Sequence, residues 1–593
     1  MTLRLRAATL ALLGLGPACP SPPPPPPAQL TVDELFQQQL GEFSTAASLV
    51  ASAAQSGDLA GAQRQWRDLW ERAVKVEQLI RDTDVQAFGR LFAQIGSRGA
   101  PALGVHAIEA ALFGRVPDLA LAATLSTQVA AEVDGLRAQA EPLSEETIVE
   151  AAFDAWRQPF ENLAGTTTPL AGIDSGALRA LLVGTSAYLE LAPGLLSEEP
   201  ALSEALSGLK AAVGADPVSD ANEIPGYLSA VQSFSRALAQ TAAARKLNIG
   251  ADPNDDFDPL FLPRAEAFKD NFLREEPEVV ELGRLLFFDP LLSEAEDRAC
   301  SSCHDPEKFY QDDRPKGLGL SGTDLRRATP TIVNAALQHG SFWDFRVDDL
   351  PSQALKPISE PEEMGSNIDI IFQRLGANAE YVQRFNEAFT DGLQLLNMAA
   401  AITAFEATLL AVDSPVDRFL SGDLVALSAS EKRGLTLYLG KARCGNCHFV
   451  PTFGGTQGPS FANTDVRVIG VPATDDDEEL SDDIGFEGVS QDPQDRGGFK
   501  VPILRNIAES APYMHNGAFQ DLREVINFYS AGGGPGLNLP VPNADPRMIL
   551  LNLSNAEKLD LEAFLRALSD DTTVIPGAPE AVPSGLPPGG RGF

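Results

Sequence analysis

The sequence predicts a mainly α-helical protein: an N-terminal helical bundle, then two smaller domains, each built around one Cys-x-x-Cys-His motif. Three observations lead there. From about 30 to 250 the chain is rich in Ala, Leu, Gln and Glu, with apolar residues at helical spacing and no strong strand signal. From about 258 onward glycine and proline become frequent between short helices. The two CxxCH motifs, at Cys300 and Cys444, stand 144 positions apart, each behind a helical pattern. That weak internal repeat suggests two related domains.

The bundle is argued from stripes such as Trp66, Leu69 and Trp70, followed by Ala73, Val74 and Glu77, then Leu79 and Ile80. Ala251 to Asp256 (ADPNDD) breaks the pattern and marks a boundary. Glu281 to Phe288 (ELGRLLFF) reads as the helix leading into the first CxxCH. Ser428 with Glu431 forms a capping box that opens a helix through Leu435 and Tyr438 into the second. Asp475 to Asp483 (DDDEELSDD) is expected as a solvated loop, and the Pro- and Gly-rich tail from Pro576 as disordered. The resulting division is 1–28 leader and stalk, 29–250 helical module, 257–425 and 426–575 the two CxxCH domains, and 576–593 tail.

With 593 residues the chain is long enough for three or four domains, and its apolar content of 44% suits a sizeable core. The formal net charge of −37 argues against nucleic acid and anionic membranes as partners and favours a basic redox protein, or serves solubility alone. Arg4 and Arg6 precede an apolar run, Ala7 to Leu15, which is a signal-peptide layout too short to span a bilayer permanently. Gly16-Pro17-Ala18-Cys19 resembles a bacterial lipoprotein cleavage site, with Gly16 where leucine is usual. Pro20 and Pro22 to Pro27 follow as a stiff stalk. The expectation is an exported protein, periplasmic or outer-membrane-anchored, touching membrane only through a lipid on Cys19.

The other four of the five cysteines form Cys300-Ser301-Ser302-Cys303-His304 and Cys444-Gly445-Asn446-Cys447-His448. Two thiols three positions apart can each form a thioether with one haem vinyl group, and the adjacent histidine then sits under the iron. A Cys₄ zinc site or two local disulfides would not need a histidine after each pair. Two covalently bound haem c groups, and hence two c-type cytochrome domains, are the expectation.

Residues 275–570 resemble the bacterial di-haem cytochrome c peroxidases and MauG-type enzymes. The resemblance rests on LGRLLFFDPLLS, CSSCHDP, FWDFR, QALKPISEPEEMG, CGNCH and VPILRNIAESAPYMHNGAFQDLREVINFYSAGG, in that order. It implies that the first haem, on Cys300, Cys303 and His304, is the peroxidatic one. Leu320, in GLGLSG, stands where some relatives carry a blocking histidine, so an open iron position is expected. Gln353, Pro357 and Glu363 match the distal pocket, with Glu363 the acid/base; on residue type alone it would be a surface glutamate. Trp343 matches the tryptophan between the haems, although a lone Trp is more often core. The second haem, on Cys444, Cys447 and His448, takes Tyr529 as distal ligand by the same resemblance, with Met514 the competitor. A phenolate would favour the ferric and higher states. The family's calcium would draw on Ser510 and Pro512, while its usual asparagine is Ala328 here.

Gly104 to Glu109 (GVHAIE) resembles the GxHxxE motif of imelysin-like proteins, helical bundles linked to iron uptake. His106 and Glu109, three apart, would share a helix face and either hold a metal or pair as a core hydrogen bond. The functional expectation is an enzyme reducing hydrogen peroxide with electrons from a small redox protein. The alternatives are a MauG-like oxidase of a protein or metal-ion substrate, and a plain di-haem electron carrier.

Overall fold

The computed structural model describes residues 30–92, 104–114, 116–156, 159–164, 175–249, 258–260, 262, 273–457, 461, 464–474, 476 and 479–590. The leader, Cys19, the proline stalk and the boundary at Ala251 to Asp256 lie outside them. No helix among the described residues is long and apolar enough to cross a membrane.

The bundle starts at Val32–Gln55. The Thr31 hydroxyl accepts the Glu34 N–H and the Glu34 carboxylate accepts the Thr31 N–H, so both exposed donors are satisfied. Phe36, Leu40, Phe43, Ala47 and Val50 fall on one face and are buried against Leu59–Ala73 and Leu119–Gln139. The stripe from Trp66 to Ile80 is helical but in two pieces, Leu59–Ala73 and Glu77–Thr83. The break lets the Lys75 backbone lie against Gly184, where an added Cβ would sit 2.9 Å from the Lys75 Cα.

Each CxxCH domain repeats one device. The helix entering the motif crosses a second helix at a glycine, which lets the two backbones approach. Pro277–Phe288 meets Leu395–Glu406 at Gly283, whose Cβ would fall 1.7 Å from the Ala401 carbonyl oxygen. Ala429–Leu439 meets Asn555–Arg566 at Gly434, whose Cβ would fall 2.1 Å from the Asp560 carbonyl oxygen. The capping box of Ser428 and Glu431 is present. Among the described residues one sheet forms, the antiparallel pair Val466–Val468 and Gly498–Lys500, with Arg467 opposite Phe499.

The apolar residues make two main cores. One belongs to the first CxxCH domain and includes Leu282, Phe287, Phe288, Ile371 and Phe405. The other runs without interruption from the bundle (Phe43, Trp66, Phe234) into the second CxxCH domain (Phe419, Tyr438, Phe453, Phe564). At the junction Ile224–Arg245 packs on Pro415–Leu420, and Pro159–Ala164 packs on the turn Cys444–Asn446.

Two expectations are corrected. The tail up to residue 590 is not disordered but packs back across the first CxxCH domain. Val582 is buried in its core, Ser584 donates to Asp289 (2.7 Å), and Gly589 pairs by its N–H with Phe288 O (2.8 Å) and by its carbonyl with Ser302 Oγ (2.9 Å). Its prolines and glycines suit an extended strap that draws partners from distant segments rather than from itself. Within the acidic run, Asp483 is not solvated: it is 5% exposed and ion-paired with Arg327 (2.8 Å) and Arg326 (3.3 Å). Burial alone would raise its carboxyl, but hydrogen bonds from Arg327 and the Gly485 N–H hold it at about 2.

Candidate functional site

Both CxxCH motifs line one continuous cavity of about 760 Å³ between the two haem-type domains. Each forms a single 3₁₀ turn, Cys300–Ser302 and Cys444–Asn446, in which the histidine N–H donates to the first cysteine carbonyl (3.0 Å and 2.9 Å). His304 Nδ1 then meets Tyr310 O at 3.0 Å, and His448 Nδ1 meets Pro502 O at 2.9 Å. A backbone acceptor at Nδ1 sets the tautomer and leaves Nε2 for an iron. Burial lowers both imidazoles, His448 to about 4, so both present neutral donors.

The four cysteines are free thiols, so the local-disulfide alternative does not hold. Among the described residues no three His, Cys, Asp or Glu side chains converge as a metal cluster, so the two pairs do not form a Cys₄ site. Burial pushes the Cys300 and Cys444 thiols up to about 12 and Cys303 to about 11. The rest of the lining also fits two haems. Apolar walls (Ile332, Val333, Ile469, Leu553) alternate with Arg346, Arg467, Lys500 and Arg547, whose charge suits propionates. Lys500 is half-buried, and desolvation lowers its ammonium to about 8, while Arg547 anchors the second turn by donating to Asn446 O (3.0 Å).

The predicted distal residues come from Leu350–Ser359 and the loop after it. Asp349 caps that helix by accepting the Ser352 N–H at 2.8 Å. Gln353, Pro357 and Glu363 all line the cavity. Gln353 Oε1 is buried without a hydrogen-bond partner among the described residues. Pro357, inside the helix, has no N–H to offer the Gln353 carbonyl. Burial and Glu360 raise the Glu363 carboxyl, against Arg346 and Arg298. Leu320 is 37% exposed and does not line the cavity.

Trp343 lines the cavity between the domains. Its Nε1–H donates to Ala328 O (3.0 Å), and its carbonyl accepts the Lys500 N–H (2.8 Å). Tyr529, Met514 and also Met548 line the second motif's side. Burial beside Cys447 and Cys444 raises the Tyr529 phenol. Met548 escaped the sequence reading because it lies outside any motif. Ser510 and Pro512 line the cavity too, with Ser510 Oγ donating to Ile507 O (3.3 Å).

A second repeat, not apparent from the motifs, aligns the two sides. Ser341 bridges Val347 as Tyr513 bridges Phe519. Phe342 (φ 63°) and Met514 (φ 73°) follow in the left-handed region. Asp349 and Asp521 each cap a ten-residue helix, Leu350–Ser359 and Leu522–Ala531. In that register Trp343 corresponds to His515, and Pro357 to Tyr529. His515 stacks on Phe499 at 3.8 Å, and burial lowers it to about 3.

His106 and Glu109 share a face of Val105–Phe113, both buried, with His106 Nδ1 and Glu109 Oε2 3.4 Å apart. They lie outside this cavity.

The family model described as di-haem cytochrome c peroxidase matches residues 277–424. The chain is 32% identical over 334 residues to cytochrome-c peroxidase IdrP2 of Denitromonas iodatirespirans, covering 52% of this chain and 86% of that protein. It is 32% identical over 355 residues to methylamine utilization protein MauG of Methylorubrum extorquens, covering 59% and 93%. To cytochrome c551 peroxidase of Pseudomonas aeruginosa it is 35% identical over 307 residues, covering 50% and 82%. Two cysteine pairs with oriented histidines in one cavity, and relatives spanned over most of their length, lead to one conclusion: the chain belongs to the di-haem cytochrome c peroxidase/MauG family of oxidoreductases.

Proposed function

We propose that the chain reduces hydrogen peroxide at the Cys300–His304 site, with electrons from a small redox protein entering by way of the Cys444–His448 site. When bound, the two haems supply irons that exchange electrons and, at the first site, a position for peroxide. The observation that carries this reading is the correspondence of Pro357 with Tyr529. The same helix position faces each site, and at the first it holds a ring with no donor atom, at the second a phenol. Leu320, which does not line the cavity and carries no donor atom, supplies no competing ligand.

The chain's own residues then divide the work. The unpartnered Gln353 Oε1 is an acceptor for a peroxide O–H. Glu363, with its raised pKa, takes the proton from the inner oxygen and returns it to the leaving one, and two further protons with two electrons then complete two waters. Trp343, tied to the second domain through Lys500, relays electrons across the domain junction. Ser510 and Pro512 would lend oxygens to a calcium ion between the sites. Export to the periplasm, with a lipid on Cys19, fits the haem-attachment chemistry.

Stopped-flow mixing of the haem-loaded protein with peroxide, followed by turnover with a reduced small cytochrome or cupredoxin, tests the reading. A fast change in the Soret band and donor-dependent turnover are expected. An unreactive Soret band would leave a plain electron carrier, and reaction without donor turnover would favour the MauG-like alternative, an oxidase of a protein or metal ion, which Tyr529 as ligand supports.

A further inference from the structure

The bundle is joined to the second haem site by more than apolar packing. Trp66 and Trp70 of Leu59–Ala73 lie parallel, ring centroids 6.2 Å apart and 5° between planes. Trp70 meets the His106 ring at 5.1 Å, and His106 meets Glu109 at 3.4 Å. The Glu109 carboxylate and the Arg67 guanidinium of the tryptophan helix both act electrostatically on the Arg443 guanidinium, in opposite senses. Arg443 lines the haem cavity and caps the turn that begins at Cys444. A line of aromatic and charged groups thus runs from the interior of the bundle to the second CxxCH turn, which Pro159–Ala164 covers from the bundle side.

The two indoles differ in one respect. Trp66 Nε1–H donates to Val105 O at 3.0 Å. Trp70 is 2% exposed, and its Nε1–H has no acceptor among the described residues. Packing alone explains a buried tryptophan pair, but it does not explain an N–H left without an acceptor in a core, which is destabilising. An indole with no base at its N–H keeps its proton when it loses an electron. Glu109, 3.4 Å from the His106 ring nitrogen, sets a carboxyl group on the far side of that imidazole, where it would offset a cation formed on the indole.

We propose that Trp70, lying between Trp66 and His106, is a one-electron relay serving the second haem site. The inference rests on the peroxidase reading above. Reduction of one peroxide to two waters takes two electrons and two protons. One of those electrons leaves the Trp70 indole, forming a radical cation that retains its N–H proton. A reduced one-electron donor protein supplies the other electron and later refills the indole. Without donor, the oxidising equivalent stays in the bundle.

Freeze-quenched electron paramagnetic resonance of the holoprotein, mixed with peroxide without donor, tests this. The expected result is an organic radical whose signal narrows with ring-deuterated tryptophan. It is lost in Trp70→Phe and retained in Trp156→Phe, a buried bundle tryptophan that meets Tyr227 and Phe234 edge-on instead. Peptide mapping of the peroxide-treated wild type should find oxygen added at Trp70, and this decides the matter even where Trp70→Phe fails to fold. A radical that survives Trp70→Phe, or an unmodified Trp70 in protein whose Soret band peroxide has changed, overturns the relay and leaves the peroxidase reading standing. A Soret band indifferent to peroxide overturns both.

Discussion

Glu363 and Pro357 show how one side chain each can set the chemistry of the first site. Burial raises the Glu363 carboxyl, so its proton-accepting form appears at higher pH than for an exposed glutamate. The rate constant for peroxide should therefore rise as pH climbs through that raised pKa. In Glu363→Gln the rate should fall by about 10²- to 10⁴-fold and lose this pH dependence, as read by stopped flow. Pro357→Met should place a thioether where Tyr529 stands on the other side, closing the open position. The expected outcome is a first site that no longer responds to peroxide while the second site's spectrum is unchanged. Glu363 was legible through its motif; the pairing of Pro357 with Tyr529 was not, because FWDFR and YMHNG share turn geometry and not residues.

At the scale of elements, the helices entering the haem turns depend on caps and glycines. Ser428→Ala removes the hydroxyl that accepts the Glu431 N–H, and should cost about 1 kcal/mol in denaturant unfolding. Gly434→Ala should cost more. Its methyl would collide with the Asp560 carbonyl and the Phe564 side chain, so Ala429–Leu439 and Asn555–Arg566 must separate, an overpacking typically worth about 1–3 kcal/mol. The capping box was readable because its two residues are three apart. The reason for Gly434 was hidden, since its neighbours lie more than a hundred residues downstream.

Across the whole molecule, Arg327 of the first haem domain and Asp483 of the second form a buried clamp beside the cavity, with Asp344 on the other side of the guanidinium. Breaking it in Asp483→Asn should destabilise the protein by about 3–5 kcal/mol, measured by thermal or denaturant unfolding. Because the Asp483 carboxyl is held down at about 2, its contribution is fully present above the ordinary aspartate value. It is lost as pH falls through about 2, and the variant should lack that part of the acid dependence.

By itself the sequence determined the chemistry that depends on short spacing. It placed two haem-attachment motifs, the helices that lead into them, the capping box and the His106–Glu109 face, because thioether spacing and helix periodicity are local constraints. Only the tertiary structure decided which groups meet across long separations. It folded the tail back onto Ser302, buried Asp483 under Arg327, and merged the bundle's core with that of the second haem domain. Such contacts arise from burial and charge pairing between segments hundreds of residues apart, for which no local pattern in the chain need exist.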